Sequence, residues 1–155
     1  MMVPRPFTIL LAEDDDGHAA LVQRNLRRVG VTNAIVRVTD GQAVLDHVHG
    51  NLARLDGKAA ETLLILLDIN MPRVDGIEVL RHLKNDPATS QIPVIILTTT
   101  DSPKDVEMCY QLGCSVYVTK PVLYEQFVEA VRRLGLFLQV VELPGVRDKR
   151  KGTLS

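Results

Sequence analysis

The stretch whose reading decides the fold is "LILLDINMPRVDG", residues 64–76. Four aliphatics in succession, Leu64 to Leu67, suit a strand that is packed on both faces, as strands of parallel sheets are. The run stops at a carboxylate, Asp68. An aspartate opens turns well, because its side chain hydrogen-bonds to nearby backbone. It equally suits a place where something cationic waits at the end of a strand. The flanking sequence decides between the two.

Working outward, short aliphatic runs recur at Phe7–Ala12, Ala34–Val38, Leu63–Leu67, Val94–Leu97 and Val116–Val118. Between them apolar residues return at helical spacing. Val22, Leu26 and Val29 share one face, as do Ile77, Leu80 and the stem of Lys84, and so do Tyr124, Phe127, Val131 and Leu134. Breakers stand at the joints: Gly30, Gly41, Gly50, Gly57, Pro87, Pro93, Gly113 and Pro121. Five strands alternating with five helices predict a doubly wound α/β domain, since parallel neighbours need crossover helices. The domain is expected over 6–143, with a long C-terminal helix from near Val122 to about Glu142. Residues 144–155 read as a polar, frayed tail. The segment Asn51–Thr62 reads as a surface loop or an extension of the second helix.

A chain of 155 residues is the size of one domain with a real core. A net charge of -1 gives no reason to expect a nucleic-acid or membrane partner. The first apolar run is too short for a signal peptide or a membrane span. Two cysteines, Cys109 and Cys114, make no disulfide framework and suit reduced thiols of the cytoplasm.

In open parallel sheets ligands bind beyond the carboxyl ends of the strands. Here those ends carry Glu13-Asp14-Asp15-Asp16, Asp68-Ile69-Asn70, Thr98-Thr99-Thr100 and Thr119-Lys120-Pro121. Singly, each is ordinary: Asp15 or Asp16 caps a helix, Lys120 is a surface lysine, Thr98 a strand residue. Together they are not. Asp14 and Asp68 repel each other unless a divalent cation or an ammonium offsets them. Oxygen ligands with open positions suit Mg²⁺, and a hydroxyl with an ammonium opposite suits phosphate oxygens. The set reads as a phosphoryl site.

The motifs "LLAEDD", "ILLDINMPRVDG", "PVIILTTTD" and "VYVTKP", in that order, resemble the receiver domain of two-component response regulators from about Thr8 to Leu138. The resemblance implies a flavodoxin-like sheet of order 2-1-3-4-5. It implies a phosphoacceptor rather than a conventional enzyme, taking a phosphoryl group from a sensor histidine kinase onto Asp68. Asp14 and Asp68 would ligate Mg²⁺, or Mn²⁺ in its place, with the Asn70 backbone carbonyl and with Glu13 through water. Lys120 would pair with Asp68 and later with phosphoryl oxygens, Thr98 would be the switch hydroxyl, and Tyr117 the coupled aromatic. The bond before Pro121 would be cis. The "DDD" and "TTT" runs resemble the small regulators that work with phytochrome-type kinases.

Two other chemistries fit less well. A phosphatase of the haloacid-dehalogenase type needs an acid two residues past its nucleophile, where this chain has Asn70. A flavin carrier needs a neutral phosphate loop after strand one, where an acidic run stands. Among the histidines, His47 and His49 share no helical face, and His18 falls just past the acidic pocket. The spacing from Asp14 to Asp68 is long for the family, with the excess expected in Asn51–Thr62, away from the site. The segment after Leu138 is expected to be too short for a second domain, so the signal is expected to leave through a surface, to a target protein, to another phosphorelay member or to a second copy. The apolar segment "LGLFLQVVEL" favours a homodimer over a helix folded back on its own domain, through Phe127, Leu134, Phe137 and Val141.

Overall fold

Each aliphatic run becomes a fully buried central strand or a partly buried edge strand. The computed structural model describes residues 6–54 and 60–143. In chain order these form β1 (Thr8–Ala12), α1 (Asp16–Arg28), β2 (Ile35–Val38), α2 (Gly41–Leu52), β3 (Leu63–Leu67), α3 (Gly76–Asn85), β4 (Val94–Thr98), α4 (Pro103–Leu112), β5 (Val116–Thr119) and α5 (Tyr124–Leu138). All neighbouring strands pair in parallel, in the order β2-β1-β3-β4-β5. This is the expected flavodoxin-like order. Strand order reverses at β1, so β1 and β3 lie side by side at the centre with Ala12 level with Leu67.

The period of two along each strand divides the core in halves. Leu10, Ala12, Ile65, Leu67, Val94 and Ile96 face α2, α3 and α4, while Ile9, Leu11, Leu64, Leu66, Ile95 and Leu97 face α1 and α5. That is why β1, β3 and β4 read as unbroken apolar runs. Asp75 caps α3 by accepting from the Glu78 N–H (2.9 Å). The helix then starts so close to β3 that a Cβ on Gly76 would stand 2.4 Å from the Asp68 carbonyl oxygen and 2.7 Å from Ile69 Cα. The "DG" of the opening stretch is therefore a packing requirement: only a residue without a Cβ lets α3 seat against the backbone that carries Asp68.

The excess between helix two and strand three leaves at the amino end of the sheet, opposite the strand ends that carry the acids. Asn51 ties its two sides together. Asn51 Nδ2 donates to the Glu61 carbonyl and Asn51 Oδ1 accepts from the Glu61 N–H, both at 2.8 Å. Gly57 and residues 144–155, the tail of the sequence reading, lie outside the described residues.

The C-terminal helix departs from expectation. It runs Tyr124–Leu138 rather than to Glu142, because the Gln139 side chain turns back to donate to the carbonyls of Val29 (2.7 Å) and Gly135 (3.2 Å). Gly135 lies buried inside it. That glycine lets α5 press on α1, where a Cβ would meet Val29 Cγ2 at 2.4 Å. Phe127, placed by the sequence on a pairing surface, is 4% exposed and belongs to the domain's own core with Val131 and Leu138, because the helical stripe is spent on α1. Leu134 and Val141 also pack partly against that core. Leu136, Phe137 and Val140 remain exposed, as do Val122, Leu123 and Tyr124.

Candidate functional site

The backbone ladder continues one residue past the strands, and this aims the functional side chains. The Glu13 N–H donates to the Val38 carbonyl (3.0 Å), that of Asp68 to Ala12 (3.1 Å) and that of Lys120 to Thr98 (2.6 Å). Each acid or base is thus fixed to the sheet at its last rung and points off the carboxyl end.

The geometry there is tight. Asp68 is buried, and both of its oxygens are used. Oδ1 accepts from the Thr98 hydroxyl (2.7 Å) and the Asn70 N–H (3.1 Å), and Oδ2 accepts from Lys120 Nζ (3.0 Å). Lys120 also donates to Glu13 Oε1 and lies 3.0 Å from His18 Nδ1. Its side chain is 1% exposed. Glu13, Asp14 and Asp68 bring one carboxylate oxygen each within 4.8 Å of one another, with Asp14 at the open rim. Three carboxylates thus face one ammonium. Hard oxygens in this number, in excess over the local positive charge, suit a divalent cation such as Mg²⁺ or Mn²⁺. The donor set fits the metal that the resemblance implies.

Electrostatics separate the two buried acids. Burial pushes Glu13 up to about 7, although the hydrogen bond and charge of Lys120 pull the other way. Burial also acts to raise Asp68, but the Thr98 hydroxyl, the charge and hydrogen bond of Lys120, and the Asn70 N–H outweigh it, leaving Asp68 below the ordinary carboxylate range. Asp68 is thus held ionised at the end of a rigid strand.

Around this centre, the sequence expectations are met unevenly. Thr98 is fully buried and already on the Asp68 carboxylate rather than at a distance from it. Tyr117 is turned inward, its hydroxyl donating to the Thr100 carbonyl (2.6 Å), and burial pushes it up to about 12. The Asn70 side chain is tied away from the acids, donating to Thr100 Oγ1 (2.9 Å). No described peptide bond is cis. The Lys120–Pro121 bond is trans, the ordinary preference of an X–Pro bond, and this corrects the expectation for Pro121. Asp15, not Asp16, is the α1 cap, accepting from the His18 N–H (2.9 Å).

Three features escaped the sequence reading. Glu13 pairs directly with Lys120, 107 positions away. Arg37, the one basic residue in β2, donates from Nε to the Glu13 carbonyl (3.0 Å) and pairs with Asp16 (2.7 Å). His18, noted only as close to the pocket, touches the lysine. A lone arginine inside an aliphatic run was the signal available for the second of these.

Comparison with known proteins follows the same lines. The family model for the response regulator receiver domain matches residues 9–132. A response regulator receiver domain from Rhodospirillum rubrum is similar in structure, with a TM-score of 0.82 and 44% identity over 91% of this chain and 99% of its own. Response regulator Rcp1 of Synechocystis sp. is 33% identical over 140 residues, 90% of this chain and 94% of its own. The Mn²⁺-bound form of Rcp1 superposes with a TM-score of 0.80, at 32% identity, covering 90% of this chain and 100% of that one. The phosphorylated cyanobacterial phytochrome response regulator RcpA gives 0.79, at 31% identity, over 91% of this chain and 100% of its own. With the parallel 2-1-3-4-5 sheet and the acids, hydroxyl and ammonium at its carboxyl end, the match establishes that the chain belongs to the response regulator receiver domain family of two-component systems.

Proposed function

We propose that this domain accepts a phosphoryl group from a histidine of a sensor kinase onto Asp68 and so switches a protein-interaction surface. The observation that carries the proposal is the Asp68 carboxylate itself, ionised and aimed by β3, with one oxygen on Thr98 and the other on Lys120. In the transfer an Asp68 oxygen attacks phosphorus, the phosphorus–nitrogen bond breaks, and the electron pair leaves with the imidazole of the donor. Phosphoryl transfer asks for positioning and charge neutralisation more than for covalent chemistry. Lys120 supplies an ammonium for the equatorial oxygens, and Thr98 exchanges its bond to the carboxylate for one to the phosphoryl group. Glu13, Asp14, Asp68 and the Asn70 backbone carbonyl would hold Mg²⁺, or Mn²⁺, which when bound neutralises phosphoryl charge.

Tyr117 and the loop after β4 would carry the change outward, by biasing an equilibrium between two states. The kinase is of phytochrome type, by analogy with RcpA, and the compartment is the cytoplasm. Among the described residues no helix is long and apolar enough to cross a membrane. Self-pairing would use the exposed apolar edge of Leu136, Phe137 and Val140 rather than Phe127. Light scattering on the wild type and on Phe137→Glu with Val140→Glu tests it: equal monomers at micromolar concentration remove the dimer.

The phosphoacceptor is tested with acetyl phosphate and mass spectrometry. The wild type gains one phosphoryl group with Mg²⁺ and none with EDTA, and Asp68→Asn gains none. Unimpaired labelling of Asp68→Asn overturns the assignment.

A further inference from the structure

Lys120 reaches three acceptors: Glu13, Asp68 Oδ2 and His18 Nδ1, the last two at 3.0 Å. An ammonium has three N–H donors, so the set is complete. An ammonium only donates, so Nδ1 accepts and the ring proton stands on Nε2. Two of the three acceptors are carboxylates of the acidic group proposed to hold the cation. A cation drawing on those oxygens competes with the ammonium for them. His18 alone lies outside the group.

The imidazole is held on two sides. Its backbone N–H is fixed in the first turn of α1 by the Asp15 cap. Its ring stands edge-on to Phe127 of α5, with centroids 5.4 Å apart and planes at 74°. Phe127 is buried, so it gives the ring a firm back wall. The nitrogen that faces the lysine is thus aimed by two helices.

We propose that His18 is a positioning residue for Lys120: its Nδ1 keeps the ammonium over Asp68 whether or not a cation occupies the carboxylates. The inference rests on the phosphoacceptor reading of Asp68. Two substitutions separate the acceptor from the ring. His18→Asn keeps an acceptor on the same branch atom and removes the contact with Phe127. His18→Phe keeps the ring contact and removes the acceptor.

Two readouts apply to the full chain. One is the initial rate of labelling by acetyl phosphate with saturating Mg²⁺. The other, in EDTA, is proton exchange at the Lys120 ammonium, followed by side-chain ¹⁵N NMR. His18→Phe is expected to slow labelling about tenfold, the scale of one lost charge-assisted hydrogen bond, and to speed exchange. His18→Asn is expected to stay within about twofold of wild type in both, since the acceptor survives. If His18→Asn is no better than His18→Phe in either readout, the positioning role is wrong. A wild type that takes no label at Asp68 sinks the phosphoacceptor reading instead, and the exchange measurement still judges His18.

Discussion

Replacing Lys120 by methionine keeps a similar stem and removes the charge. The Lys120, Glu13 and Asp68 side chains are 1%, 3% and 7% exposed, so water does not fill the role of the ammonium. Removing one partner of a buried ion pair costs about 3–5 kcal/mol, because the other charge is left uncompensated. Glu13 has a way out. Burial already holds it at about 7 against an ordinary value of 4.5, and losing Lys120, which lowers it, drives it higher. An acid raised on folding stabilises fully below its unfolded value, and that contribution is lost as pH rises through the folded value. The variant therefore suffers least at pH 6, where Glu13 binds a proton, and most at pH 8. In the variant Asp68 moves the same way. Burial, its largest influence, raises it, and the charge and hydrogen bond of Lys120 no longer pull it down, so it adds to the loss toward higher pH. At about 2–4 °C per kcal/mol for a domain of this size, a loss of about 3 kcal/mol lowers the melting temperature at pH 8 by roughly 6–12 °C. Thermal melts in EDTA at pH 6 and pH 8 measure it, and Mg²⁺ or Mn²⁺ should return part of the loss by mass action. A Lys120→Met protein that melts with the wild type at pH 8, or loses equally at both values, refutes the reasoning.

Gly76→Ala forces a Cβ to within 2.4 Å of the Asp68 carbonyl; it should cost about 1–3 kcal/mol in a urea melt and slow labelling at Asp68, and an unchanged melt contradicts the packing argument. Asp15→Ala removes the α1 cap and should lower the denaturation midpoint measurably. Asp16→Ala breaks only the exposed pair with Arg37 and should cost less than about 1 kcal/mol, so the reverse order in chemical denaturation would reassign the cap. Thr98→Ala takes away the hydroxyl that helps hold Asp68 down, so the Asp68 carboxyl should titrate higher by NMR. The same variant should still accept a phosphoryl group yet lose the phosphorylation-dependent change in binding or self-association; an undiminished change would remove Thr98 from the switch.

How much of this was legible depends on the kind of interaction. Buried strands announce themselves, because β1, β3 and β4 have apolar neighbours on both faces and are built almost wholly of aliphatic residues. The carboxyl ends were equally readable, since a parallel sheet gathers them at one side. What a long side chain does after leaving its strand was not. Lys120, at the end of edge strand β5, reaches past β4 to Asp68 and on to Glu13, and nothing in its own neighbourhood encodes that reach. The stripe containing Phe127 and Val131 shows that a helix buries one face but not whose surface it buries, which is why Phe127 is assigned to a pairing surface by sequence and to the domain's own core by the structure. For Lys84 the spacing is informative: its stem packs over Gly113 while Nζ donates to the Ser90 and Ile92 carbonyls. The end of α5 was invisible because a side-chain amide, Gln139, folds back to close it.

The double hydrogen bond from Asn51 to Glu61 has a use for the experimenter. It fastens the two edges of the excursion after α2 to each other, beside the start of β3. Lengthening a closed excursion is thermodynamically mild, about 0.6 kcal/mol for each doubling. Because the clamp sits at the amino end of the sheet, it makes a port. A fluorophore-bearing peptide or an affinity tag can be grafted between Leu52 and Ala60 while Asp68, Thr98 and Lys120 stay as they are at the other end of the domain. Cutting the clamp with Asn51→Ala would turn that port from a neutral graft site into one that loosens the start of β3.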